Sequence, residues 1–357
     1  MPRGMAIRIS NPWLTRIVGE GIGGRFLVKD LPGYHGRMGG RDCVYVVDDA
    51  EAGSRLDAFL AERLSVSRAE ARRVLQAGGV ELAGRPASAR AKGLALMAGQ
   101  EVRVVSFTPP RERRIVPEPE APLSVLARGE GWIAVDKPAG SAVHPLSADQ
   151  RGSVLAAVAA RYPEVQGVGE GGLRSGVVHR LDVGTSGVLL VATAGGAWQR
   201  LRAGFREHRA HKLYRAIVLG SPGREGAEEP WLRVARHRPS RVVVADPGAS
   251  GARPTSMSWR RLESFAGGAL LEIRPTTGFL HQIRATLAHL GHPVAGDAAY
   301  RGAAADPTGA SRPLLHAARL DLDEVSAESP DPPDFEEALA RLRALDPGGS
   351  AERQVRP

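Results

Sequence analysis

The densest group of reactive side chains in the sequence lies in the glycine-bounded segment 176–187. His179, Arg180 and Asp182 stand there between two apolar runs, and the flanking glycines permit a tight turn. Such a turn would present the three side chains at a strand end, where a carboxylate can act as nucleophile or base. The alternative is a turn in which Asp182 and Thr185 only cap local backbone groups.

Two other uses of this segment are disfavoured. A serine triad of Ser186, His179 and Asp182 would need a third, distant element, because the three residues are too close in sequence to converge. Metal binding by His179 and Asp182 lacks further spaced ligands. We therefore predict no metal site.

A second group of polar residues opens a predicted helix at 281–290. His281 could cap this helix, Gln282 can bond bases or backbone groups, and Arg284 lies one turn in. An arginine pairs in a bidentate manner with a carboxylate. The alternative for Arg284 is a solvated position on the helix surface.

A third feature is a basic strip that runs into Tyr214. Only Glu207 opposes its cations, which are Arg200, Arg202, Arg206, Arg209, Lys212 and Arg215. Cations beside an aromatic ring suit phosphate contacts and base stacking, although a charge run is more often a solvated face. The glycine-rich segment 167–172 follows no convincing strand and opens no helix, so it predicts a loop and not a dinucleotide site.

The elements that must position these groups are strands and helices of residues 123–324. Helical spacing occurs at 153–161, 194–208 and 281–290. The strand-like runs are more numerous and lie at 132–135, 187–192, 214–219, 242–244 and 269–273. Several of them alternate apolar and polar residues, which favours an α+β fold with a mixed, largely antiparallel sheet.

The composition pattern divides the chain into segments. We predict a flexible extension at 1–43, a small α+β module at 44–106, a proline-rich semi-rigid linker at 107–122, a larger domain at 123–345 and a loose tail at 346–357. The extension is rich in glycine, and Met38 could be the true start. Within the small module, Ser67 can cap a helix at 68–76, with Glu70 at the reciprocal position of a capping box.

Charge and cysteine content limit the partners and the compartment. The chain has 357 residues and a formal net charge of +9, which favours partners with phosphates or an anionic surface. The single cysteine, Cys43, cannot form an intrachain disulfide, and this fits a reducing cytosol. No apolar run approaches the roughly 18 residues of a membrane helix. We therefore predict a cytoplasmic protein without a membrane partner.

Taken together and in this order, the motifs resemble those of the RluA-type RNA pseudouridine synthases. The family pattern His-Arg-Leu-Asp-x-x-Thr-Ser-Gly is complete at 179–187. The other family elements follow at 136–140 with 144–145, 212–216, 281–284, 291–297 and 315–320. The small module resembles the RNA-binding domain of ribosomal protein S-four at 55–57, 67–68 and 78–80. The resemblance covers about residues 45–345.

The resemblance implies the isomerisation of uridine to pseudouridine in RNA by the larger, catalytic domain. The reaction consumes no electrons or water overall, so no cofactor is expected. Asp182 would be the catalytic carboxylate, and Arg284 would pair with it and keep it ionised. Tyr214 would stack on the uracil. Arg180 would fill the gap that the flipped uridine leaves.

The resemblance also implies which residues hold the RNA. They are His179, Arg180, Thr185, Lys212, His281 and Gln282 in the catalytic domain, and Arg55, Ser67 and Arg68 in the S-four-like module. Such contacts give affinity more than sequence choice. We predict a monomer that acts on large-subunit ribosomal RNA, because the module is typical of such enzymes.

Two alternatives to this substrate and activity are a tRNA pseudouridine synthase and a non-catalytic RNA-binding or ribosome-assembly factor. The set Asp182, Tyr214 and Arg284 argues against the second, because a pure binder needs no such ion pair in its cleft. One position departs from the family: Phe279 stands where an arginine is usual. Phe279 would either stack on a nucleobase or pack in the core. The departure from arginine therefore bears on RNA affinity or on substrate choice.

Overall fold

The structure is a computed structural model that describes residues 41–237 and 239–346. The chain divides into two compact units, residues 1–108 and 109–357. Most of the predicted extension, including Met38, and residues 347–357 of the predicted tail lie outside the described residues.

The first unit is a four-stranded antiparallel sheet with two helices. Its elements are β1 (Arg41–Val46), α1 (Leu56–Arg63), α2 (Arg68–Gln76), β2 (Val80–Leu82), β3 (Arg85–Pro86) and β4 (Glu101–Phe107), with the strand order β1-β4-β2-β3. The helical spacing buries Leu56, Phe59 and Leu60 against the sheet. Ser67 caps α2, because its hydroxyl accepts the Glu70 N–H at 3.2 Å.

The stretch predicted as a linker is divided between the two units. β4 continues to Phe107, and from Pro109 onward the chain packs on the second unit. Ile115 is buried in a core of that unit. Its N–H donates to the Gln166 amide oxygen at 3.2 Å, and its carbonyl accepts from the Gln166 amide nitrogen at 2.7 Å. A buried apolar residue within the proline-rich stretch therefore fixes it as part of the larger core.

The second unit contains twelve strands and four α-helices among its described residues. The strands are β5 (Ser124–Gly129), β6 (Trp132–Lys137), β7 (Ser186–Ala192), β8 (His211–Leu219), β9 (Glu225–Glu228), β10 (Trp231–His237), β11 (Ser240–Ala245), β12 (Arg253–Pro254), β13 (Met257–Phe265), β14 (Gly268–Pro275), β15 (Leu315–Leu322) and β16 (Val325–Glu328). The helices are α3 (Val154–Arg161), α4 (Gly195–Arg206), α5 (Gln282–His289) and α6 (Pro333–Leu345).

Nine of these strands form one mixed sheet. Its order is β5-β6-β7-β15-β8-β14-β13-β9, and β16 pairs with β15. β7 and β15 run parallel, and the other paired strands of this sheet run antiparallel. The prediction of an α+β fold with a mixed, largely antiparallel sheet is confirmed.

The centre of the sheet is covered on both faces. Alternate residues of β7 point to opposite sides: Leu189 and Val191 pack with α3, whereas Val188 and Leu190 pack with Leu201 of α4. Burial on both faces explains why this strand reads as a continuous apolar run. Among the described residues, no helix is long and apolar enough to cross a membrane.

A smaller sheet lies against α5. It has the order β11-β10-β12. Leu232 and Val242 of this sheet form a core with Ala285 of α5 and with Tyr300. This packing holds the start of α5 in place, and α5 carries two of the predicted site residues.

Candidate active site

A cleft of about 610 Å³ lies in the second unit where three segments meet. These are the loop before β7, the strand β8 and the turn that leads into α5. Its cationic lining residues are Arg174, Arg180, Arg202, Arg206, Lys212 and Arg284. Asp182 is the one acidic residue among the described lining residues. The cleft therefore suits a polyanion and places a single carboxylate within it.

Asp182 and Arg284 are far apart in sequence, and the fold brings them into contact. Arg284 Nη1 donates to Asp182 Oδ2 at 3.0 Å. The other side of the guanidinium makes a bidentate pair with Asp297, through Nε to Oδ2 at 2.6 Å and Nη2 to Oδ1 at 2.8 Å. Burial alone would lower the pKa of Arg284, but Asp297 and Asp182 outweigh it and hold this pKa above its usual value. Arg284 thus supplies a permanent positive charge to Asp182.

His281 stands beside the same carboxylate. Its Nε2 lies 3.8 Å from Asp182 Oδ2, and its Nδ1 lies 2.9 Å from the Tyr300 hydroxyl. Burial lowers the pKa of His281, so the ring is neutral near pH 7. The backbone of His281 has φ 51°, in the left-handed region. Strained residues of this kind often occur at functional sites.

Lys212 and Tyr214 are two residues apart on β8 and share one face of the strand. Lys212 Nζ donates to the Thr277 carbonyl at 2.7 Å, and burial lowers the pKa of Lys212 to about 8. Burial, together with the nearby Asp182 charge, raises the pKa of Tyr214. Tyr214 therefore keeps its phenolic proton at neutral pH. Both side chains line the cleft that holds Asp182.

The predicted RNA contact His179 is engaged inside the protein. Its Nε2 accepts the Leu190 N–H at 2.9 Å, and its ring stacks on Phe205 with centroids 4.7 Å apart. Burial, with help from Lys212 and Arg202, lowers the pKa of His179 to about 3. The neutral ring therefore anchors the Asp182 loop to β7.

Arg180 and Thr185 differ in exposure although both belong to the Asp182 loop. Arg180 is exposed, and within the described residues it makes no hydrogen bond or ion pair. Thr185 is buried, and its N–H donates to the Asp182 carbonyl at 3.1 Å. The turn that this hydrogen bond closes is therefore the same turn that presents the Asp182 side chain to the cleft. Arg180 is free to contact a ligand.

Gln282, a predicted RNA contact, lines the cleft but is only 5% exposed. Its amide oxygen accepts from the Thr277 hydroxyl at 2.9 Å and the Phe279 N–H at 3.1 Å, and its amide nitrogen donates to the Ser256 carbonyl at 3.0 Å. With its amide oxygen and nitrogen bonded inside the protein, Gln282 shapes the turn before α5.

Several cations of the basic strip have partners within the protein. Arg200, Arg209 and Arg215 pair with the acidic residues Glu324, Asp323 and Asp331 respectively. Arg202 lines the cleft but donates to the Val178 carbonyl at 3.0 Å. Much of the charge that the sequence offers to phosphates is therefore neutralised or engaged within the protein.

Phe279 lies between a core and the cleft. It is half-buried and packs on the core that β10, β11 and α5 share. The same ring also lines the cleft. A side chain at this position therefore affects both packing and the cleft surface.

Lys137 is a site residue whose role the sequence analysis missed. Its side chain is fully buried, and its Nζ donates to the carbonyls of Pro138, Ser141 and Val183 at 2.9, 2.7 and 3.1 Å. Burial lowers the pKa of Lys137 to about 8, although Asp182 acts in the opposite direction. The ammonium group ties two loops together next to Asp182. A lone lysine at the end of an apolar strand was the available signal.

In the first unit, the predicted RNA contacts lie around α2. Arg55 and Arg72 both pair with the buried Asp57, and the hydrogen bond from Arg55 holds the pKa of Asp57 low, at about 2. The Ser67 hydroxyl caps α2. Arg68 is exposed and has no partner among the described residues. Arg68 is thus the cation of this set that is most available to a ligand.

Comparisons with known proteins identify the class. A family model described as RNA pseudouridylate synthase matches residues 131–289. An "Uncharacterized RNA pseudouridine synthase" of Chloroflexus aurantiacus is 37% identical over 286 residues, which are 78% of this chain and 85% of that protein. This chain therefore belongs to the RNA pseudouridine synthases.

Further matches support the subclass and the fold. A "Ribosomal large subunit pseudouridine synthase D" of Nitrosomonas europaea is 30% identical over 357 residues, 96% of this chain and 100% of that protein. The solved structure of human RNA Pseudouridylate Synthase Domain Containing 4 has a TM-score of 0.51 at 23% identity, over 62% of this chain and 93% of that one. The protein is an RNA pseudouridine synthase of the RluA type, as the ordered motifs predict.

Proposed function

We propose that this enzyme isomerises uridines of large-subunit ribosomal RNA, with Asp182 as its catalytic carboxylate. The observation that carries the proposal is a basic cleft in which Asp182 is the single carboxylate that the described residues contribute, held by Arg284 at 3.0 Å. The substrate choice is supported by similar proteins named "Ribosomal large subunit pseudouridine synthase D", which are 30–33% identical to this chain.

The reaction breaks the bond between the ribose C1′ and the uracil N1, turns the base, and joins C1′ to C5. The C5 proton leaves, and N1 gains a proton, so atoms and electrons balance without a cofactor. Asp182 can attack the sugar, attack the base or remove a ribose proton. Each route uses the Asp182 carboxylate, and the Arg284 guanidinium orients it by donating to Oδ2 at 3.0 Å.

The other cleft residues have roles that follow from their surroundings. Tyr214 keeps its phenolic proton, so it can stack on uracil and donate to or accept from a base without carrying charge. Arg180 is exposed and unpartnered within the described residues, which suits insertion into the gap left by a flipped nucleotide. Lys212, tied to the Thr277 carbonyl, would add positive charge near the phosphates.

We also propose that the first unit is an S-four-like RNA-binding domain. Arg68 is exposed at the start of α2, Arg72 lies one turn further along the same helix, and Arg55 and Arg72 both pair with Asp57. Cations at such a position contact phosphates and add affinity without sequence choice.

The test is pseudouridine formation by purified protein on transcripts of large-subunit ribosomal RNA, with tRNA transcripts in parallel. Wild type should modify the ribosomal transcript, and Asp182→Asn should abolish turnover while RNA binding persists. Asp149→Asn, an exposed carboxylate outside the cleft, is the matched control and should retain activity. Substantial product from Asp182→Asn would refute the catalytic role, and modification of tRNA alone would refute the ribosomal substrate.

A further inference from the structure

Tyr300 connects the small sheet to the catalytic carboxylate. Its hydroxyl accepts the Val242 N–H of β11 at 2.8 Å and lies 2.9 Å from His281 Nδ1. His281 Nε2 in turn faces Asp182 Oδ2 at 3.8 Å. Tyr300 is 8% exposed, so these partners replace water around its hydroxyl.

The donors and acceptors around the Tyr300 hydroxyl determine the direction of its hydrogen bond with His281. A backbone N–H can only donate, so the Tyr300 oxygen is the acceptor toward Val242. The hydroxyl still has its own proton, and His281 Nδ1 is the other partner that the described residues provide. Burial raises the pKa of Tyr300, which keeps that proton in place. Because a buried hydroxyl proton without a partner is costly, Tyr300 donates to Nδ1.

This direction fixes the state of the imidazole. A neutral histidine carries one ring proton, and when Nδ1 accepts, the proton is on Nε2. Nε2 is the nitrogen that faces Asp182. The opposite tautomer would turn a nitrogen lone pair toward the carboxylate oxygen, and the two would repel each other.

We infer that Tyr300 is a positioning residue that holds His281 in its Nε2–H tautomer, so that the imidazole presents an N–H to the Asp182 carboxylate. At 3.8 Å the two groups attract each other without a full hydrogen bond. A closer approach in the RNA complex would make that bond. This inference rests on the proposed catalytic role of Asp182, and it adds a second support beside Arg284.

The ring of Tyr300 has a separate structural use, and this makes the hydroxyl testable by itself. Arg284 and Arg241 lie over the ring, with guanidinium carbons 5.1 and 5.3 Å from its centroid. Tyr300→Phe keeps the ring and removes only the hydroxyl. Tyr162→Phe is the matched control, because Tyr162 is half-buried outside the cleft and its hydroxyl has no hydrogen bond within the described residues.

The first test is the ¹⁵N spectrum of histidine-labelled full-length protein without RNA, near pH 8. His281→Asn identifies the His281 signals and tolerates the left-handed backbone. The wild type and Tyr162→Phe should show a protonated Nε2 and an unprotonated Nδ1, and Tyr300→Phe should shift toward the other tautomer. A proton on Nδ1 in the wild type, or an unchanged spectrum in Tyr300→Phe, would overturn the inference. This measurement does not depend on enzyme activity.

The second test is a double-mutant cycle on turnover of an RNA substrate that the wild type modifies. Tyr300→Phe should lower kcat about tenfold and leave KM within roughly twofold, because the lost interaction acts on the reacting carboxylate. In a His281→Asn background, Tyr300→Phe should cost nothing further, because the group it orients is gone. Equal losses of kcat in both backgrounds, or a rise in KM alone, would overturn the inference. A wild type without any activity would refute the proposed function instead, and the tautomer result would stand.

Discussion

Replacing Asp297 with asparagine should destabilise the second unit by about 3 kcal/mol. The bidentate pair of Asp297 with Arg284 joins two buried groups, of which Asp297 is 1% and Arg284 8% exposed. Asparagine keeps the shape but turns one acceptor oxygen into an N–H donor that faces another donor. This loss of unfolding free energy falls at the low end of the range measured for broken buried ion pairs, because Asp182 continues to neutralise Arg284.

The chain contains a matched control for this change. Arg312 and Asp334 form the same bidentate pair, with Nε to Oδ2 at 2.6 Å and Nη2 to Oδ1 at 2.7 Å. The Asp334 side chain is 52% exposed, so water replaces the lost bonds. Asp334→Asn should therefore cost only about 0–1 kcal/mol. Because both pairs have the same hydrogen-bond geometry, the difference in unfolding free energy between the two variants measures the effect of burial.

Urea unfolding followed by tryptophan fluorescence measures both variants. Four of the five tryptophans, at 132, 198, 231 and 259, lie in the second unit, so the signal follows its unfolding. At about 2–4 °C per kcal/mol for a unit of this size, Asp297→Asn should also melt about 6–12 °C lower. Equal small losses of unfolding free energy in the two variants would refute the reasoning from burial.

Three further predictions follow from other parts of the molecule. A fragment of residues 109–357 should fold and should bind RNA with a shallower salt dependence than the full chain. A fragment that begins at residue 119 should be less stable, because it lacks the buried Ile115. Circular dichroism measures the stability of both fragments, and binding titrations measure the salt dependence. Because burial lowers the pKa of His179 to about 3, protonation favours the unfolded chain. The free energy of unfolding should therefore fall from about pH 7 to 5, and less so in His179→Gln; an equal slope would contradict this. Phe279→Arg should steepen the salt slope by roughly one phosphate contact and cost about 1 kcal/mol of stability, because the longer chain can reach the cleft; a wild-type slope and melting temperature would exclude it.

The sequence was most informative where structure is local. The helices predicted at 153–161, 194–208 and 281–290 agree with α3, α4 and α5 to within two residues at each end. Their apolar spacing and the cap at Ser67 depend on neighbours within one or two turns. The fold class followed from the many short alternating runs.

Strands that carry charge were harder to predict. β13 and β15 contain arginines and acidic residues between their buried positions, and no run of apolar residues marks them. Their place in the sheet is decided by pairing with distant strands. The place of Ile115 in the larger core could not be predicted for the same reason, because its hydrogen bonds are with the distant Gln166.

The candidate site could be predicted only in part. Local motifs and the family resemblance suggested Asp182, Tyr214 and Arg284, and the structure brings them into one cleft. Spacing alone could not show that Arg284 contacts Asp297 as well, or that Tyr300 reaches His281. The internal hydrogen bonds of Gln282 could not be predicted either, because a polar side chain in a motif gives no sign of whether it faces a ligand or its own turn. The role of each of these residues depends on hydrogen-bond partners that only the folded chain brings close.

The buried ammonium group of Lys137 bears on the balance of lysine and arginine in this chain. The chain has 48 basic residues other than histidine, and only four of them are lysines. Lys137 and Lys212 are two of the four, and each donates to backbone carbonyls inside the catalytic unit. A guanidinium is flat and larger, and it could not point three donors at three carbonyls that surround one atom. In a protein that otherwise relies on arginine, Lys137 thus occupies an enclosure shaped around a single nitrogen, and an amine-directed reagent at high pH should modify the exposed Lys92 well before the buried Lys137.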